Sequence, residues 1–166
     1  LGIPPGTVVL TREALNPKLK PEDEVVTLGK TRTYPTAFDE KLNLELCAAR
    51  KDIPVIIAKT VATNDFYEEQ IRLDGAIDPG YTKDEQQSFL RRLHSIGVRN
   101  IEMEATAMAG FCNRAGIRAT DVCVVLLDRI NGDQVTATPE ELKRYSENAQ
   151  NLVLQYLGVS LTEIYR

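Results

Sequence analysis

The chain has 166 residues, with 20 Lys plus Arg against 24 Asp plus Glu, a formal net charge of −4, and 43% apolar residues. That balance suits one soluble globular domain and excludes phosphate-backbone binding as its main business, since such binding needs a clustered excess of basic residues. No apolar run approaches the ~18 residues needed to span a bilayer. Cys47, Cys112 and Cys123 are odd in number and without a CxxC pair, so they read as reduced thiols of a cytoplasmic protein rather than a disulfide frame or zinc site. The opening Leu1-Gly2-Ile3-Pro4-Pro5-Gly6 has neither the charged region nor the apolar centre of a signal peptide. A Gly/Pro turn placed directly before a β-type run reads as the C-terminal portion of a longer chain.

In chain order, Val8-Val9-Leu10 predicts a strand and Glu24 to Leu28 a second, separated by an exposed charged loop marked by Asn16-Pro17 and Lys20-Pro21. Asp39 is placed to cap a helix whose apolar positions Leu42, Leu46 and Ala49 recur at helical spacing. Pro54 to Val61 is nearly continuous and β-branched, as a strand covered on both faces would be. A long polar stretch from Ala62 to Gly80 follows. Thr82 then starts a helix through Ile96, with Phe89, Leu93 and Ile96 on one face and Gly97 at its end. Val98 to Met103 is a strand running into a small-residue helix from Glu104 to Ala115, stopped by Gly116. Asp121 to Leu127 reads as another buried strand, and Pro139 opens a last helix with Leu142, Tyr145, Ala149, Leu152 and Tyr156 at spacings of three and four.

Strands alternating with helices, two of them apolar on both faces, predict an α/β fold with helices on both sides of a sheet. Ligands in such folds gather at the carboxyl ends of strands. Three segments that follow strand ends here are oddly polar: 62–75, 102–106 and 128–134.

In the first, Gln70 and Arg72 would point to the same side of an extended segment. A Gln amide offers an acceptor and donors, and a guanidinium only donors. Together they match an edge presenting acceptor, N–H donor and acceptor, which uracil has at O2, N3–H and O4 and cytosine lacks. Phe66 is placed to stack on a base. Read from spacing alone, Gln70 and Arg72 equally suit a solvated loop. In the second segment, Glu104 at a strand-to-helix junction could accept two vicinal hydroxyls beside a soft Met103 wall, or simply complement the helix dipole. In the third, Arg129 could reach into a cleft from a strand end, or pair at the surface with Asp128 or Asp133. The lone His94, mid-helix, builds no nucleophile triad. The opening glycines form no P-loop, and no metal-binding pattern is present.

Taken together, DFYEEQIRLDGA, GVRNIEMEATAMAG and VCVVLLDRINGDQ resemble the C-terminal portion of a eukaryotic-type uridine phosphorylase, within the nucleoside phosphorylase family. The likeness runs over nearly the whole chain. It implies a three-layer α/β/α sandwich with a central mixed sheet, incomplete in this chain, with residues 1–166 forming the C-terminal part of a single domain. It further implies reversible phosphorolysis of uridine to uracil and ribose 1-phosphate in pyrimidine salvage, in a cytoplasmic homodimer, with phosphate as co-substrate and no metal or organic cofactor. By that likeness Gln70 and Arg72 hold uracil, Phe66 packs on base or sugar, Met103 and Glu104 hold the ribose, and Arg129 sits near uracil O4. Glu104 and Arg129 then carry the catalytic roles. No nucleic acid or membrane partner is implied.

Three positions depart from the family pattern: Glu69 for a Gly, Asp128 for an Asn and Ala105 for a Ser. If that Gly uses positive φ, Glu69 would be strained and Gln70 turned away. Asp128 could compete for the Arg129 guanidinium. The family's phosphate-binding arginines and Gly-rich loop belong to its N-terminal half, so no phosphate site is expected in these residues, and the sheet should carry a raw edge. Competing readings are a nucleosidase or purine phosphorylase on the same fold, and a silent relative that binds nucleoside or only dimerises.

Overall fold

A computed structural model of the chain describes residues 1–159. Its centre is β1 (Val8–Leu15), whose Val8, Val9 and Leu10 have no exposed surface. A strand can bury consecutive residues only when both of its faces and both of its edges are covered. On one edge β1 pairs in parallel with β4 (Val55–Ala62), which pairs in parallel with β5 (Val98–Glu102). On the other edge it pairs antiparallel with the three-residue β6 (Val122–Val124). The sheet is therefore mixed, in the order β5-β4-β1-β6.

Helices lie on both faces. Helix α1 (Glu40–Ala49) and helix α4 (Pro139–Leu157) place Leu46 and Leu152 on Val8 and Leu10, with Val55 and Ile57 beside them. Each such fully buried aliphatic side chain contributes roughly 1.5–3 kcal/mol. Helix α2 (Lys83–Ser95) sets Leu90 and Leu93 against Val61 and Val98. On the opposite face, helix α3 (Ala105–Ala115) packs Ala105 and Ala109 on Ala14 and Ala62, and these small residues let helix and sheet approach closely. The helix starts follow local chemistry. Asp39 accepts from the Leu42 N–H at 2.6 Å, and Thr82 with Glu85 and Thr138 with Glu141 form reciprocal capping boxes. Gly6, at φ +87°, lies under Tyr145 of α4, where a Cβ would come within 2.7 Å of the ring.

Four expectations need correction. Glu22–Thr27 (β2) pairs with an unforeseen strand, Lys30–Pro35 (β3), in a separate hairpin. Its two-residue turn has Leu28 and Gly29 both at positive φ, as a type I′ turn requires. Asn16 is buried rather than part of an exposed loop, because its Oδ1 accepts the Lys18 and Lys20 N–H groups, each at 3.0 Å. The apolar stripe of α2 is centred on Leu90 and Leu93; Ile96 is its C-cap and 38% exposed. β6 stops at Val124 and is half-buried, since among the described residues it pairs only with β1, and the following Leu126 and Leu127 line a cleft instead of continuing the strand.

Candidate active site

The loop after β4, the run from Arg99 in β5 to Glu104, and the segment from Val124 in β6 through Leu127 to Arg129 line a cleft of about 520 Å³. Because β6 runs antiparallel to β1, its carboxyl end lies at the other end of the sheet from those of β4 and β5. Its lining includes Phe66, Gln70, Arg72, Met103, Glu104 and Arg129. All six residues singled out in the sequence, drawn from three separated segments, therefore meet in one cavity. Leu126, Leu127, Ile101 and Val135 supply apolar wall.

The loop after β4 is not extended. Asp65 Oδ2 gathers the N–H groups of Tyr67 at 2.9 Å, Glu68, and Glu69 at 3.2 Å, which winds the segment into a turn. Gln70 and Arg72 converge because Ile71 between them takes a left-handed conformation at φ +53°, and not because a strand alternates. For a β-branched residue that conformation is strained by about 1–2 kcal/mol. Two bonds hold it: the Ile71 N–H donates to Glu68 O at 2.8 Å, and the Gln86 amide of α2 donates to Ile71 O at 2.7 Å. Glu69, whose φ is not positive, turns its carboxylate to the Asn64 N–H at 2.5 Å. Gln70 keeps its place in the cleft, so the departure from Gly does not have the feared effect.

Arg72 and Arg129 are 9% and 7% exposed, and each is oriented by counter-charge. Arg72 binds Asp74 in fork geometry, Nε to Oδ1 at 2.8 Å and Nη2 to Oδ2 at 2.6 Å, and donates Nη2 to the Asp133 carbonyl at 2.6 Å. Its guanidinium carbon stands 4.6 Å from the Phe66 ring centroid. Arg129 donates Nε to Asp133 Oδ1 at 2.9 Å and Nη2 to the Gln70 carbonyl at 2.9 Å. The hydrogen bond from Arg72 holds Asp74 below the usual carboxylate range. Burial lowers the Arg129 proton affinity, with Asp133 offsetting part of that. Burial would raise Asp133, but the Leu73 N–H, Gln86 and Arg129 outweigh it and hold the carboxyl low. Both arginines line the cleft, and in both Nη1 makes no hydrogen bond among the described residues, so each keeps donors that no described protein group satisfies. Asp128 does not compete for Arg129: it accepts from the Ile130 N–H and Asn131 Nδ2, both at 3.1 Å.

The other end of the cleft is open. Met103 is 38% exposed and Glu104 is exposed, its carboxylate bonded among the described residues only by the Met103 N–H at 3.3 Å. Glu104 is the N-cap residue of α3, but its side chain makes no capping bond. Glu102 supplies that bond instead: its Oε2 accepts the Glu104 N–H at 2.6 Å and the Ala105 N–H at 2.9 Å, while its Oε1 is buried without a partner among the described residues. Burial pushes this carboxyl to about 7 against the pull of those two N–H groups, with Asp121 and Glu104 adding to the rise. Nothing in the sequence marks Asp74, Gln86 or Glu102 for these roles, and Asp133, which the sequence offers as a surface partner of Arg129, pairs with it with its side chain only 11% exposed.

Residues 1–158 match the model of the phosphorylase superfamily, and the chain belongs to that family. It is similar to mouse uridine phosphorylase 1, with 43% identity over 97% of this chain and 52% of the relative. It is similar also to a uridine and thymidine phosphorylase of Caenorhabditis elegans, with 43% identity over 95% of this chain and 54% of the relative. Among solved structures, uridine phosphorylase from Schistosoma mansoni in complex with uracil superposes with a TM-score of 0.91 at 39% identity, covering 97% of this chain and 58% of that one. An inactive uridine phosphorylase B from the same organism is 37% identical over 95% of this chain and 54% of the relative. The chain spans about half the length of the curated relatives it matches. Among the described residues no helix is long and apolar enough to cross a membrane.

Proposed function

We propose that the protein is a uridine phosphorylase, acting in pyrimidine salvage in the cytoplasm as a homodimer and requiring no metal or organic cofactor. The carrying observation is the pair of buried, counter-charged arginines that present free Nη1 donors beside Gln70 in one cleft. In the reaction the C1′–N1 bond of uridine breaks with its electron pair leaving on the base, and a phosphate oxygen bonds to C1′ to give ribose 1-phosphate. Gln70 pairs with the uracil edge, and Arg72 and Arg129 donate toward the oxygens on which charge develops, as donors do in an oxyanion hole. Phe66 packs against base or sugar. Met103 and Glu104 hold the ribose so that phosphate meets C1′ in line. The phosphate site belongs to parts of the protein beyond these residues.

Glu69 was the feature that favoured a silent relative, and its carboxylate is spent on the Asn64 N–H, away from Gln70. Uracil release from uridine by the full-length protein, with and without phosphate, tests the reading. Release that depends on phosphate and yields ribose 1-phosphate is expected. Release without phosphate would make the protein a hydrolase, and no release from folded protein would leave a binding protein.

A further inference from the structure

Asp133 does not line the cleft, yet both cleft arginines are tied to it. Its backbone carbonyl takes Arg72 Nη2 at 2.6 Å, and its carboxylate takes Arg129 Nε at 2.9 Å. The same carboxylate accepts the Leu73 N–H at 3.0 Å and Gln86 Nε2 at 3.0 Å. Gln86 in turn donates to the carbonyl of the left-handed Ile71 at 2.7 Å. Three stretches far apart in sequence therefore converge on one residue: the loop after β4, helix α2 and the segment after β6. Every group facing the carboxylate is a donor, so the position calls for an acceptor-only side chain. The Arg129–Asp133 pair is shielded, with side chains 8% and 11% exposed, so replacing one partner leaves an uncompensated group in a dry place.

We propose that Asp133, acting with Gln86, is a positioning residue for departure of the base: it keeps Arg72 and Arg129 in register so that their free Nη1 donors meet the charge developing on the leaving pyrimidine. The inference rests on the phosphorolysis reading above. Such an effect is felt most when the departing base needs most help. A fluorine at C5 of uracil withdraws electrons and stabilises the departing anion, so 5-fluorouridine depends less on the arginines than uridine does.

The test uses the full-length protein and its Asp133→Asn variant, with kcat and KM measured for uridine and 5-fluorouridine at saturating phosphate. Asn keeps the shape but turns an amide N–H toward converging donors. The expected result is a fall in kcat/KM of about 10²-fold for uridine, mostly in kcat, and only about tenfold for 5-fluorouridine. If Asp133→Asn does not fold, Gln86→Met carries the test: it keeps the Arg129–Asp133 pair, and a smaller loss with the same bias toward uridine is expected. Equal losses for the two substrates would reduce the two residues to a structural role and overturn the inference, as would unchanged kinetics. Wild-type protein that releases no base from either nucleoside would overturn the phosphorolysis reading and this inference with it. Wild-type activity without the uridine bias would overturn this inference alone.

Discussion

The two ends of the cleft are built differently. At one end Gln70, Arg72 and Arg129 are buried, and the two guanidinium groups are gripped by Asp74, Asp133 and backbone carbonyls. At the other end Met103 and Glu104 stand exposed, and the only bond the Glu104 carboxylate makes among the described residues is a long one from the N–H of the preceding residue, Met103. A buried guanidinium must have its partners in place before any ligand arrives, because an unpaired buried charge is too costly to keep. An exposed carboxylate bears no such penalty and needs no protein partner. The buried end is therefore preorganised by folding and the open end is not; under the proposed function these are the ends that would take the base and the sugar.

That contrast sorts the consequences of substitution. Arg129→Met strikes fold and function together. It should lower kcat/KM for uridine by about 10³-fold and, by stranding Asp133 and the Gln70 carbonyl, cost about 3 kcal/mol of stability, read by thermal unfolding beside the kinetics. Glu104→Ala should separate the two: kcat/KM falls by about 10²-fold, while stability stays within about 0.5 kcal/mol of the parent. If Glu104→Ala also unfolds the protein, the open end is not as independent as its exposure indicates. Gln70→Leu should cost about tenfold in uracil affinity and narrow the preference for uracil over cytosine to what the arginines alone supply, because the edge-matching amide is gone; competition binding checks it.

The smallest effect concerns Glu102. Its carboxyl titrates near 7 in the folded protein against an ordinary 4.5, so the folded state holds the proton more tightly than the unfolded chain. The stability this contributes is full below pH 4.5 and is lost as pH rises through 7. Asp121 and Glu104 are the charged groups that press on it. Glu102→Gln should therefore gain in melting temperature relative to the parent between pH 5 and 7.5, by about a few degrees. A difference that stays constant with pH would contradict the assignment.

Much of the fold could be read from the chain because its signals are local. Asp39, Thr82 and Thr138 sit directly before the helices they cap. β3 escaped because KTRTYP is polar and exposed on both faces, so it shows no alternation; the Leu28-Gly29 turn was the signal available. β6 was drawn too long because an apolar run reads the same whether it is a strand or the wall of a cleft, and Leu126 and Leu127 are wall. The six candidate residues were legible by chemical type. Their geometry was not, since Gln70 and Arg72 meet through a strained Ile71 that no propensity would place at positive φ. Nor were the supporting groups, because Asp133 reaches Arg72 and Leu73 across about sixty residues of sequence.

Under the proposed function, the buried end of the cleft is shaped for one pyrimidine edge before any ligand arrives. Calorimetric titration of the full-length protein with uracil and with cytosine tests it most directly. Uracil should bind and cytosine should bind at least tenfold more weakly, because its N3 acceptor and 4-amino donor oppose Gln70 and the arginines. Equal affinity for the two bases would mean that Gln70 and the arginines do not select the edge.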